Sequence, residues 1–175
     1  MSERPGLLVD IVADPVCPWC YVGLKSFLAA KPDLTDAYEV TVRFRAYLLN
    51  PDTPAEGVDR EAYYRQRFPD PGFLVEARKR IAEAAEAAGF AFAPSAPKRL
   101  PNTLKAPRLL RAAHFDGRQE QAALALYRGY WDKGADLGDD ETLVALAAAA
   151  GMDEAAAAAR RADARKFADH RRAQL

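Results

Sequence analysis

Cys17 and Cys20 are the only cysteines in the chain, and both sit within ten residues, DPVCPWCYVG, at positions 14–23. Two thiols three positions apart on one helical turn put their sulfurs on the same side, near enough to bridge. Three chemistries fit that spacing: a redox couple, half of a metal site, or two buried thiols without reactivity. A zinc site needs two further ligands, and the two histidines, His114 and His170, are far apart and lack ligand spacing. Inert thiols remain open because a free cysteine is often just a small hydrophobe. The redox reading assigns asymmetric roles. Pro18 suits a first helical turn, where its missing N–H costs nothing. Cys17 then lies where free amides and the helix dipole favour a thiolate, so it is the expected nucleophile. Cys20, one turn in, is expected to be more buried and to act as the resolving thiol. Trp19, between them, brings neither charge nor proton, so the dipeptide adds no cationic activation.

The elements around the pair agree with this placement. Leu7 to Ala13, LLVDIVA, is a short apolar run ended by Asp14-Pro15, expected as a strand buried on both faces. Tyr38 to Leu49 alternates strictly, with Val40, Val42, Phe44, Ala46 and Leu48 facing one way, which predicts a second strand. Between them Tyr21, Leu24 and Leu28 have helical spacing, expected to stop before Pro32. Strand, helix, strand over residues 1–49 is a βαβ unit with a right-handed crossover. Residues 58–170 read as helices. Asp59, Asp70, Asn102 or Thr103, Asp139 or Asp140, and Asp153 are candidate caps, and Gly89, Gly134 and Gly151 are stops. Pro107 requires the helix around it to start late or kink. The stripe Ala123, Leu126, Tyr127, Tyr130, Trp131 is expected to be core, and His114 a helix C-terminal residue.

The totals narrow the function classes. Lys plus Arg and Asp plus Glu are 25 each among 175 residues, so no net field draws nucleic acid or an acidic membrane. Half the residues are hydrophobic and 29% charged, the balance of a single globular domain. The N-terminal stretch is too short and interrupted for a signal peptide, and no run approaches a membrane span. A cytoplasmic location is expected, where a close cysteine pair is more often catalytic than structural. Asp10, inside an apolar strand, is expected in a buried pair with Arg43 or Arg45. Its sharper role would be proton acceptor for Cys20.

DPVCPWCYVG, RFRAYLLNPDTPAEGVDR, PNTLKAPRLLRAA and YWDKGADLGDDETLVALAAAAGMD occur in one order across residues 7 to about 153. Together they resemble the DsbA-like thioredoxin family, in its FrnE-type branch. The resemblance implies an α/β thioredoxin-like fold with a large helical insertion and dithiol–disulfide exchange at Cys17 and Cys20. It implies no bound cofactor, protein or low-molecular-weight thiols and disulfides as partners, and glutathione as a candidate co-substrate. The chain departs from the family pattern in two places: Pro107 stands where His is usual, and nothing after Asp153 resembles the family's cis-proline loop and closing strands. A single domain over 1–175 lacking those strands would leave the first strand with an open apolar edge, to be covered by a second copy, a rearranged helix or further chain. Loss of the cis-proline segment would also impair catalysis. Two other functions stay on the table: a glutathione-dependent isomerase or transferase on the related kappa-class scaffold, where Ser typically replaces Cys17, and a non-catalytic protein that binds a partner through its helical layer.

Overall fold

The computed structural model describes residues 4–91, 93–94 and 97–152. In chain order they form β1 (Gly6–Ala13), α1 (Pro18–Ala37), β2 (Glu39–Ala46), β3 (Val58–Asp59), α2 (Arg60–Arg67) and α3 (Pro71–Ala87). Then come β4 (Arg99–Leu100), a 3-10 turn (Thr103–Lys105), α4 (Ala106–Phe115), α5 (Gln119–Lys133) and α6 (Asp140–Ala149). The expected helix opening at Asp153 lies outside the described residues.

β1 and β2 pair in parallel from Gly6 opposite Glu39 to Ala13 opposite Ala46, with α1 as the crossover that a parallel pair requires. The sheet is covered on one face only. Ile11, Val42 and Phe44 join the core, whereas Leu8 and Val12 on the other face are 52% and 58% exposed. The expectation of a strand buried on both faces is therefore corrected. Helices pack against one side of β1, and period two turns alternate residues away from them.

α1 also departs from expectation, running through Pro32 to Ala37. Proline removes only its own donor to the turn before it. Beyond it the helix is held by the Thr35 hydroxyl donating to the Pro32 carbonyl at 2.7 Å, by the Tyr38 amide donating to Leu34, and by Arg4 donating to the Thr35 carbonyl. Pro107 is accommodated differently. Asn102 accepts the Leu104 amide to open the 3-10 turn, and α4 follows with Pro107 in its first turn. The remaining caps fall where the sequence puts them. Asp59, Asp70 and Asp139 accept the Ala62, Gly72 and Thr142 amides, and Gly134 closes α5 at φ +66°.

The core sits between the inner sheet face and α4, α5 and α6. Trp131, Tyr130, Leu126, Leu100 and Leu137 are all within 1% of full burial. α5 and α6 approach closely because Gly129 has no side chain; a Cβ there would lie 2.8 Å from Leu146 Cδ2. A two-residue antiparallel ladder, Val58 with Leu100 and Asp59 with Arg99, ties the segment after β2 to the one before α4. Neither of these short strands carries a readable period.

Gln119 joins the layers. Its side chain accepts the Phe44 amide at 2.9 Å and donates to the Phe44 and Leu110 carbonyls at 3.1 Å each. Leucine there would fill similar space and strand three buried backbone groups. We expect Gln119→Leu to lose about 3 kcal/mol of unfolding free energy in urea titration, at unchanged m-value.

Candidate active site

The turn from β1 to α1 is Asp14-Pro15-Val16-Cys17, with the first three residues buried. Asp14 is the buried acid here. Its Oδ1 accepts the Val16 amide at 3.1 Å, and its Oδ2 accepts the Leu49 amide at 2.8 Å and the Thr103 hydroxyl at 3.2 Å. Burial raises the carboxyl's pKa, and those three donors pull it back towards the ionised form. The Asp14 carbonyl meanwhile accepts the Cys17 amide at 3.0 Å and the Tyr127 hydroxyl at 3.2 Å. The neighbouring Pro15 carbonyl accepts the Trp131 indole N–H at 3.0 Å. The aromatic stripe of α5 is core, as expected, and also clamps the turn that delivers the thiols.

Cys17 is the N-cap of α1, with extended backbone (φ −86°, ψ 115°), and Pro18 occupies the first turn. Cys17 Sγ accepts the Cys20 amide at 3.4 Å. Both cysteines are free thiols and both are half-buried, so Cys20 is not the more enclosed one that the sequence leads one to expect. Trp19 stands half exposed between them.

The two thiols influence each other's ionisation more than any other neighbour does. That mutual influence dominates their titration. It holds Cys20 down to about 6 and pushes Cys17 far above the thiol range. These are two faces of one property, because losing either proton leaves an anion stabilised by the remaining S–H. The pair therefore sheds its first proton early and its second late. Backbone amides serve both sulfurs: those of Cys20 and Trp19 favour an anion on Cys17, and that of Asp14 an anion on Cys20, helped by the Tyr127 hydroxyl. The Asp14 carboxylate opposes charge on Cys20. Tyr127, stacked on Tyr21 at 5.3 Å between ring centroids, has its own ionisation pushed up by burial.

Asp10 belongs elsewhere. It sits on the uncovered sheet face, its carboxylate taking two bonds from Arg43 at 2.7 and 2.9 Å and one from Arg45 at 3.4 Å. The predicted partners are right and the predicted burial is wrong: the Asp10 and Arg43 side chains are 31% and 43% exposed. The hydrogen bond from Arg43 lowers the Asp10 carboxyl. The acid beside the thiols is Asp14, four residues on. The signal was the same turn that marks the strand end, since an Asp between a buried strand and a cysteine must be satisfied by something. His114 lies exposed in the last turn of α4.

If the mutual influence of the two thiols sets the first ionisation, iodoacetamide alkylation of the reduced protein will show an apparent pKa near 6. Cys17→Ala and Cys20→Ala will each raise it by about one unit or more, as each removes one partner. A profile unmoved by either substitution would assign the acidity to the helix amides alone. Reduced-state stability carries the same signature. A thiol depressed to about 6 adds stability as pH rises from there towards 9.0, and its raised partner removes stability above 9.0.

Comparisons with known proteins bear on the fold and the family. The model of the DSBA-like thioredoxin domain matches residues 8–174. A probable DsbA oxidoreductase from Streptomyces coelicolor superposes with a TM-score of 0.79 at 30% identity, over 95% of this chain and 72% of that one. The cytosolic disulfide reductase DsbM from Pseudomonas aeruginosa shares the fold with a TM-score of 0.63 at 22% identity, over 95% and 77%. No curated protein matches the chain. Among the described residues no helix is long and apolar enough to cross a membrane. The chain belongs to the DsbA-like thioredoxin-domain family, whose members here are disulfide oxidoreductases.

Proposed function

We propose that the chain exchanges disulfides through Cys17 and Cys20, with Cys17 the attacking and Cys20 the resolving thiol. The observation that carries this reading is the placement of both thiols in the first turn of α1, with Cys17 as its N-cap accepting the Cys20 amide at 3.4 Å. In the reducing direction, the Cys17 thiolate attacks one sulfur of a substrate disulfide, forming a mixed disulfide and releasing the other half as a thiolate. The Cys20 thiolate then attacks the Cys17 sulfur, releasing the second thiolate and leaving a Cys17–Cys20 disulfide. Two electrons pass from the dithiol to the substrate, and the protons shed by the two cysteines end on the two leaving thiolates. The helix-cap position and the amides of Cys20 and Trp19 support Cys17 as the attacker, and the Asp14 carboxylate opposes an anion on Cys20. The half-exposed Trp19 gives the approaching disulfide an apolar surface beside the sulfurs.

The motif order also favours the FrnE-type branch, a cytoplasmic setting, and small thiols among the partners. A DsbM structure determined with GSH shares this fold at 21% identity and a TM-score of 0.62, which supports the last of these. The decisive experiment is trapping. Cys20→Ser treated with a disulfide substrate will accumulate a mixed disulfide on Cys17, visible as the added mass of one substrate half. Cys17→Ser will accumulate none and will lose turnover by about a hundredfold or more. Turnover that survives Cys17→Ser would leave the helical layer, rather than the thiols, as the functional part.

A further inference from the structure

Arg60 is only 5% exposed and forms no ion pair among the described residues. Its Nε is buried without a hydrogen-bond partner. Burying a guanidinium with no counter-ion in contact is unfavourable, so the charge must be met in another way. Two aromatic rings meet it. The guanidinium carbon lies 5.0 Å from the centre of the Tyr64 ring and 5.1 Å from that of Trp131. The backbone holds the side chain in place there. The Arg60 amide donates to the Lys98 carbonyl at 2.9 Å, continuing the β3–β4 ladder, and Asp59 caps the helix that Arg60 opens.

Trp131 carries the path on towards the thiols. Its ring is 1% exposed, with Tyr130 edge-on to it at 4.9 Å between centroids. The indole N–H donates to the Pro15 carbonyl at 3.0 Å. That carbonyl belongs to the same peptide unit as the Val16 amide, which donates to Asp14 Oδ1 at 3.1 Å. In a trans peptide the two groups point in opposite directions. The unit just ahead of Cys17 is therefore held at both ends, by an indole on one side and a carboxylate on the other. Two buried charges, Arg60 and Asp14, stand at the ends of this chain. Every dipole between them is aligned: ring face and carbonyl oxygen towards the cation, indole N–H and Val16 N–H towards the anion. A cation on a ring face draws electron density from it and makes the N–H at its edge a stronger donor. Linked hydrogen bonds polarise one another, most of all where no water competes.

We propose that Arg60 is a positioning residue for the dithiol: acting through the Trp131 indole, its buried charge fixes the Pro15–Val16 peptide and so the helix start from which Cys17 attacks. This rests on the dithiol reading above and deepens it. Arg60 acts on no substrate atom, and its effect reaches the sulfur through the turn. The short β3–β4 ladder gains a purpose, since it seats Arg60 against Trp131.

The test uses the full reduced chain. Its two tryptophans, Trp19 half exposed and Trp131 buried, give two indole N–H resonances, which Trp19→Phe assigns. In wild type the Trp131 N–H should lie downfield and exchange far more slowly than that of Trp19. Arg60→Met should move it upfield. It should also slow pyridinethione release from dithiodipyridine, a neutral disulfide that the charge cannot steer, by about tenfold or more. Arg60→Lys returns a cation to the ring and should recover part of both; a space-filling role would be met by Met instead. Should Arg60→Met fail to fold, Trp131→Phe answers, since it keeps a ring beneath Arg60 and lacks the N–H. It should be as slow, and adding Arg60→Lys should slow it no further. Three results would each overturn this role and leave dithiol exchange standing: a wild-type Trp131 N–H exchanging as fast as that of Trp19, a rate left unchanged by Arg60→Met or Trp131→Phe, or Arg60→Lys no better than Arg60→Met. Wild type left with a pyridylthio group on each cysteine, rather than a Cys17–Cys20 disulfide, would overturn dithiol exchange, and this role with it.

Discussion

A single buried carboxylate fixes where the thiols can be. Asp14 is 1% exposed and takes hydrogen bonds from three places in the chain: its own turn, Leu49 in the loop after β2, and the 3-10 turn before α4. An acid that deep is costly to ionise, so its three donors are obligatory. Satisfying them forces the end of β1, the exit of β2 and the start of the α4 segment into one arrangement. Cys17 follows three residues later, its amide bonded to the Asp14 carbonyl. Breaking one of those bonds strands a partner in the interior, at about 1–3 kcal/mol each. The cost is paid by the turn that positions the sulfurs.

The helical layer is accordingly part of the site. Thr103, Tyr127 and Trp131 all belong to it, and each bonds residues 14 or 15. Gly129 lets α6 close over α5, which helps hold the aromatic stripe against that turn. Gln119 adds the link from α5 to β2. With the turn clamped from one side and α1 leaving it on the other, Cys17 is held at a helix start and Cys20 one turn along. Across that turn the Cys17 sulfur accepts the Cys20 amide.

Local chemistry made much of this legible before any coordinates. The Cys-Pro-Trp-Cys spacing at a strand end, the Asp caps at 59, 70 and 139, the glycine stop at 134 and the period-two strand at 39–46 are each decided within a few residues. The misreadings share a different cause. Asp10 interrupts an apolar run, which suggests a buried pair, yet its burial depends on which sheet face the helices cover, and that is set by α4 and α5, far along the chain. Asp14 went unnoticed as the central acid because two of its three donors, Leu49 and Thr103, are remote in sequence. Pro32 was read as a stop by a local rule, and the crossover from β1 to β2 overrode it. Arg60 carries no local mark, and only the packed structure places it over the rings of Tyr64 and Trp131. Among the described residues β1 pairs with β2 alone, so its other edge carries no strand there; the expected absence of closing strands concerns residues after 152, outside the described ones.

Deuterium uptake in Asp14→Asn against wild type tests the central role of this carboxylate most directly. Asparagine keeps the shape, loses the charge and replaces one acceptor with a donor that faces the Leu49 amide or Val16 amide. If Asp14 holds the site together, protection will fall at residues 16–21 and at 49–50 together, while α6 keeps its wild-type protection. Unchanged protection in those two segments would contradict the account, and the aromatic clamp from α5 would then be what positions the thiols.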